Sequence, residues 1–153
     1  MRRLTTIAAL LLLAGSMQAI LAHADNREVA AAGAMASLDE FMEAFNDRDM
    51  TAWAATLHYP HVRFASGEVR IWPDAESFAS ESPFEALAAT GWDRSRWASR
   101  EVRLVDVDKA HIETVFERLD ADGAVVWTFP SLYIVTRDEH GNWGVQVRSS
   151  LAP

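Results

Sequence analysis

The sequence has 153 residues, with 14 basic and 22 acidic side chains, a formal net charge of −8 and no cysteine. This excess of negative charge argues against nucleic acid as a partner, because binding phosphates requires a positive surface. Without cysteine the chain can form no disulfide, thiol nucleophile or zinc–thiolate site, so its stability depends on a hydrophobic core.

The first 24 residues are typical of a secretory signal peptide. Arg2 and Arg3 supply positive charge, residues 7–13 form an apolar run, and the small–x–small sequence AHA ends at Ala24. The run is much shorter than the roughly 20 residues that span a bilayer. We therefore expect a bacterial periplasmic or secreted protein with one mature domain, residues 25–153, that is not membrane-bound. The mass of the protein isolated from its host would test this expectation.

Residues 27–46 have the spacing of an amphipathic helix, and a shorter helix is predicted after Asp49, which suits an N-cap. Pro60 is predicted to stop the shorter helix, because proline disfavours helical geometry in the residue before it. Capping-box spacing at Asp25 and at Ser37 leaves two alternative starts for the first helix. Its apolar stripe comprises Leu38, Phe41, Met42 and Phe45.

At His61 the pattern changes to period two, which predicts a β-hairpin with a turn at Ser66-Gly67. His61 and Arg63 share one face of the first strand, and Val62 and Phe64 share the other. A third helical region is then predicted from Ser82 to Gly91, because a cap, a first-turn proline and a capping-box glutamate follow one another there.

The rest of the chain has the pattern of four strands joined by short, turn-rich segments, which predicts an antiparallel meander. Pro130 cannot donate a ladder hydrogen bond, so a bulge or bend is predicted at that residue. The bulge leaves open which of Trp127, Phe129 and Tyr133 faces inward. The predicted strands are residues 98–106, 110–119, 124–137 and 142–149.

This order of elements resembles the nuclear transport factor two-like superfamily, which includes ketosteroid isomerases and polyketide cyclases. The resemblance covers about residues 27–149. Its local cues are FMEAFNDRDMTAWAATLHYPHVRF at 41–64 and GNWGVQVRSS at 141–150. It implies an α+β fold in which N-terminal helices pack on a curved, mainly antiparallel sheet, forming a cone with an internal pocket. It also implies a small organic, mainly apolar ligand and a homodimer formed through the open sheet face.

The resemblance does not decide whether the protein catalyses a reaction. If it does, isomerase, cyclase or hydrolase-type acid–base chemistry is implied. An isomerase would need a tyrosine on the first helix, where this chain has Phe41 and Phe45. An epoxide hydrolase would need an arginine between two aspartates; Arg148 is available, but the nearby aspartates fall at turns. The alternative is a noncatalytic homodimeric binding or interaction module.

Two histidines flank Pro60 and are predicted to differ in role. His58 is predicted to bond carbonyls at a helix end, whereas His61 shares its strand face with Arg63 and suits an anionic or carbonyl-bearing ligand. The pair straddles a proline and has no third ligand nearby, so no metal is predicted, and no other cofactor. Trp92 and Trp97 flank a DRSR segment and are predicted at the pocket mouth. The predicted ligand contacts are His61, Arg63, Trp92, Trp97, Tyr133 and Arg148.

Overall fold

A computed structural model of the protein describes residues 2–65 and 67–152, with side chains from Ala24 onward. Helices come first, then a hairpin and a four-strand meander, as the sequence predicts, but two short helices rather than one helical region separate the hairpin from the meander. The elements are α1 (Arg2–Asn46), α2 (Met50–Ala55), β1 (Leu57–Ala65), β2 (Glu68–Trp72), α3 (Ala75–Ala79), α4 (Phe84–Ala88), β3 (Arg94–Asp106), β4 (Lys109–Leu119), β5 (Val125–Arg137) and β6 (Trp143–Ser150).

The six strands form one sheet in the order β2-β1-β6-β5-β4-β3. Strands β1 and β6 pair in parallel and every other neighbouring pair is antiparallel. The predicted fold class is therefore confirmed. In the hairpin turn, Ser66 lies outside the described residues and Gly67 has a φ of 87°, a conformation that glycine adopts without strain.

Helix α1 is continuous through both predicted starts, Asp25 and Ser37, so neither of them caps it. The prediction of cleavage after Ala24 rests on side chains outside the described residues and stays a prediction. Within the part of the chain whose side chains the structure describes, no helix is long and apolar enough to cross a membrane.

The second helix ends earlier than predicted, and Pro60 does not stop it. Asp49 caps α2 as expected, accepting hydrogen bonds from the backbone N–H groups of Thr51 and Ala52. Strand β1 already starts at Leu57, which pairs with Val145 of β6, and Pro60 lies inside it. The β1–β6 register is irregular between Leu57 and Val62. A residue without an N–H is tolerated where the ladder is interrupted in this way.

The predicted bulge at Pro130 is also wrong, because Pro130 pairs in regular register with Val115. Its carbonyl accepts a hydrogen bond from the backbone N–H of Leu151, so its backbone groups point toward β6. The β5–β6 ladder ends at the pair Ser131–Ser150, one residue short of Pro130. The missing N–H therefore removes no bond from the ladder.

The hydrophobic core lies between α1 and the inner face of the sheet. Leu38 of α1 is fully buried, as are Ile112 of β4, Val135 of β5 and Val145 of β6. Alternate residues of β4 differ in burial: Glu113 is exposed on the outer face, where it accepts a 2.7 Å hydrogen bond from Arg103 Nε. The C-terminal part of α1 and the inner face of the curved sheet thus form two sides of an internal space.

Candidate functional site

A cavity of about 430 Å³ lies between the inner face of the sheet and helices α1 to α4. This volume is within the usual range for small-molecule sites, roughly 300–1,000 Å³. Most of its wall is apolar and much of it aromatic. The main apolar lining residues are Phe41, Met42, Phe45, Trp53, Trp72 and Phe78.

The aromatic wall is built around Trp53, which α2 directs inward. Its ring packs edge-on against Phe41 and Phe45 of α1, with centroid distances of 5.6 and 4.9 Å. Phe78 of α3 also packs edge-on against it, with a centroid distance of 4.9 Å. Edge-to-face rings at these distances stabilise one another beyond their buried area. The wall is therefore fixed by packing between three helices.

Polar groups form a row across the inner face of the sheet. Cross-strand pairing places Arg70 of β2 opposite Arg63 of β1, Arg63 opposite Arg148 of β6, and Arg148 opposite Tyr133 of β5. All four of these side chains line the cavity. Arg118 of β4 also lines it. The inner end of the site is thus cationic although the chain as a whole is acidic.

His61 lies next to this row but does not line the cavity, and it is completely buried. Its Nδ1 is 3.1 Å from the carbonyl oxygen of Val145 and its Nε2 is 3.2 Å from Arg148 Nε. Because the carbonyl can only accept and the guanidinium can only donate, the imidazole is neutral, with its proton on Nδ1. Burial, and then the charge of Arg148, lower the pKa of His61 to about 3.

Arg148 is held in place by this contact and by two aromatic rings. Its guanidinium lies 5.1 Å from the ring centroid of Trp53 and 5.6 Å from that of Phe41. Burial lowers the pKa of Arg148 to about 10, so it stays protonated near neutral pH. Burial also raises the pKa of Tyr133, whose hydroxyl therefore stays protonated. The site presents one oriented cation against an aromatic wall.

Three of the six predicted contacts are brought together in the cavity: Arg63, Tyr133 and Arg148. His61, also predicted as a ligand contact, does not line the cavity and instead contacts Arg148 from behind. Ligand contact by these residues stays a prediction.

Trp92 and Trp97 do not form the pocket mouth. Trp92 is buried, stacks against Phe84 at 6.0 Å and donates a hydrogen bond to Ser95 Oγ. Trp97 belongs to β3, which starts before the predicted residue 98, and its indole N–H donates to the carbonyl of Leu38. Both rings are used to pack β3 against its neighbours.

His58 is not at a helix end, because β1 has already begun at that residue. Its Nδ1 is 2.8 Å from Thr136 Oγ1, and its ring lies over Gly144 of β6. A side chain at residue 144 would collide with the imidazole. In residues 24–65 and 67–152, no group of three or more histidine or acidic side chains could hold a metal ion.

Arg70, Arg118 and most of the aromatic wall were not predicted from the sequence. Arg70 could have been found, since a two-residue turn at Ser66-Gly67 places residue 70 opposite Arg63. The contribution of Trp53 could not, because it depends on how α2 and α3 pack together.

One family model, described as NTF2-like protein (DUF6841), matches residues 28–151. No curated protein matches the chain. Several solved structures share its fold. A protein of unknown function with a cystatin-like fold from Nostoc punctiforme is 14% identical, with a TM-score of 0.64 over 80% of this chain and 90% of that one. A ketosteroid isomerase-like protein from Erwinia carotovora atroseptica is 22% identical, with a TM-score of 0.58 over 80% and 96%.

A third similar structure, from Catenulispora acidiphila, is described as a complex with S-DNPA. It is 15% identical to this chain, with a TM-score of 0.65 over 81% of this chain and 93% of that one. At these identities the structures support the fold, and the function has to be argued from the cavity.

Proposed function

Because the chain belongs to the NTF2-like family DUF6841, we propose that its cone cavity binds a small, mainly apolar organic molecule. The cavity itself is the observation that carries this proposal: it has the volume of a small-molecule site and walls of aromatic side chains. Binding there would remove apolar ligand surface from water, which supplies the main driving force.

The groups beside the cavity favour binding over proton transfer. A general acid or base works best when its pKa lies near the working pH. The pKa of His61 is lowered to about 3, and burial raises the pKa of Tyr133. Burial also raises the pKa of Tyr59 to about 12. Each of these groups keeps one protonation state near pH 7, so the geometry supports a binding protein best.

Ligand binding should stabilise the protein in a way that a blocked cavity abolishes. We expect at least one compound from a panel of steroids, aromatics and apolar carboxylic acids to raise the melting temperature. At 100 times its Kd such a ligand stabilises the fold by about 2.7 kcal/mol. Ala86→Trp, on the cavity-lining side of α4, should remove the effect, whereas Ala88→Trp, on the same helix but outside the cavity, should retain it.

Two results would contradict the proposal. One is a melting temperature that no compound moves. The other is an Ala86→Trp variant that folds and binds as the wild type does.

The outer face of the sheet supports a second candidate function, a homodimeric interaction module. Apolar side chains of β2 and β1 lie opposite one another, Val147 of β6 lies opposite Val62, and Leu132 of β5 lies opposite Ser149. Several of the apolar side chains are strongly exposed. This mainly apolar surface borders Glu113, which lies opposite Leu132. A second copy of the chain suits it, because the same apolar patch on both copies can be buried together. The surface comprises Val62, Phe64, Val69, Ile71, Leu132 and Val147.

A charge placed in this surface should separate the two copies. We expect the wild type to have the mass of a dimer by light scattering and Ile71→Glu to have that of a monomer, because the variant would bury an unpaired carboxylate. Val29→Glu is the matched control, since Val29 is 71% exposed on α1, away from the sheet. A monomeric wild type, or a dimeric Ile71→Glu, would refute the dimer.

A further inference from the structure

The arginine row on the inner face of the sheet has an unusual charge balance. Arg70, Arg63 and Arg148 are directly opposite one another on three adjacent strands. In an antiparallel pair such as β2 and β1, side chains opposite one another have Cβ atoms about 4.5–5.5 Å apart, and like charges at that separation destabilise the sheet. An anionic group placed against the row would reduce this repulsion.

The protein offsets part of this charge itself. Arg70 Nη1 lies 2.8 Å from Glu81 Oε2 at the exposed rim. Glu81 is the one acidic side chain among the described residues that line the cavity. Deeper in, Arg148 donates to the neutral imidazole of His61, which provides a hydrogen bond but no charge.

Arg63 lies between these two arginines. Burial, and then the charge of Arg70, lower its pKa, while Tyr133 and Glu68 act in the opposite direction.

Two further donors lie in the same wall. The Nε of Arg118 is buried and has no acceptor among the described residues. Burial, and then the charge of Arg63, lower the pKa of Arg118. The indole N–H of Trp53 is likewise buried without an acceptor in the described part of the chain. Buried donors without acceptors are uncommon in folded proteins, and a ligand acceptor is one explanation for them.

From this geometry, and resting on the proposed function, we infer that the ligand is an organic carboxylate. Its carboxylate would lie against Arg63 and Arg148, and its apolar body among Phe41, Trp53 and Phe78. The planar guanidinium group suits a carboxylate because it can donate two parallel hydrogen bonds. His61 is a positioning residue in this arrangement, since its contact with Nε sets the orientation of Arg148.

Matched acids and amides separate this inference from the proposed function. Calorimetric titrations of the full chain would use 1-naphthaleneacetate against 1-naphthaleneacetamide, and octanoate against octanamide. Hydrogen bonds to charged groups contribute enough that the acid of a binding pair should bind at least about tenfold more tightly than its amide. Equal binding of acid and amide would overturn the carboxylate inference and leave cavity binding intact. Binding of neither member of either pair would contradict the proposed function, and the inference would fail with it.

Substitutions then assign the head group. Arg63→Gln and Arg148→Gln should each weaken acid binding about 30-fold or more, because each leaves a buried carboxylate with one partner fewer. The affinity of each variant for the amide should differ from that of the wild type by less than about threefold, because the neutral amide forms no ion pair with either arginine. Arg94→Gln, an exposed arginine of β3 outside the cavity, is the matched control and should bind as the wild type does.

Melting curves establish that the variants fold. If Arg148→Gln does not fold, Arg63→Gln decides the outcome alone. Wild-type affinity for the acid in a folded Arg63→Gln would overturn the assignment.

Discussion

Trp53→Ala is expected to lower the free energy of unfolding by about 3–5 kcal/mol, the range for truncating a buried aromatic residue. The indole is 4% exposed and contacts rings from α1 and α3. Its N–H has no acceptor among the described residues, so the loss is one of packing and of the cation–π contact with Arg148. Denaturant unfolding measures the change directly.

Trp127→Ala is the matched control. Trp127 is 51% exposed, and its described ring contact is a stack on Phe129 at 6.4 Å. Removing it should cost about 1 kcal/mol, the scale of a single aromatic pair. If the two alanine variants lost similar stability, Trp53 would not be the centre of the aromatic wall.

The second large effect is a loss of stability in acid that depends on His61. The pKa of its buried imidazole is about 3 in the folded protein, against about 6.5 in the unfolded chain. Between these values the unfolded chain binds more protons, so stability falls as the pH falls. The stability associated with the neutral imidazole of His61 is fully present above pH 6.5, and the free energy of unfolding should fall by about 3 kcal/mol by pH 4.

His61→Gln should remove this part of the pH dependence, because glutamine does not titrate. The comparison is between free energies of unfolding at pH 7, 6, 5 and 4 for each protein. Burial also lowers the pKa of His58, so some loss of stability over this range should persist in the variant. His140→Gln, in an exposed loop, should follow the wild type. An unchanged pH slope in His61→Gln would show that the imidazole is not held neutral in the fold.

The strands could be predicted because side-chain alternation is a local property of the sequence. In β4, for example, Ile112 and Thr114 are buried and Glu113 is exposed, as their period-two pattern indicates. The limits of β1 could not be predicted in this way. Proline at residue 60 suggests a helix stop, whereas the pairing of Leu57 with distant Val145 has no signal in the neighbouring sequence.

The site illustrates the same division between local and long-range information. Arg63 and Arg148 were each predicted from the sequence as ligand contacts, but they become neighbours only through the parallel pairing of β1 with β6, 85 positions apart in the chain. That pairing also buries His61 behind Arg148. Period two correctly places His61 and Arg63 on one face, yet it does not tell which of them reaches the cavity.

The most direct test of a carboxylate-binding cone is a crystal structure of the protein grown with saturating 1-naphthaleneacetate. We expect the naphthalene rings beside Phe41 and Trp53, with the carboxylate oxygens within hydrogen-bonding distance of Arg63 and Arg148. A cavity closed by its own side chains, or a ligand bound in it with its carboxylate directed away from both arginines, would contradict carboxylate binding by this cavity.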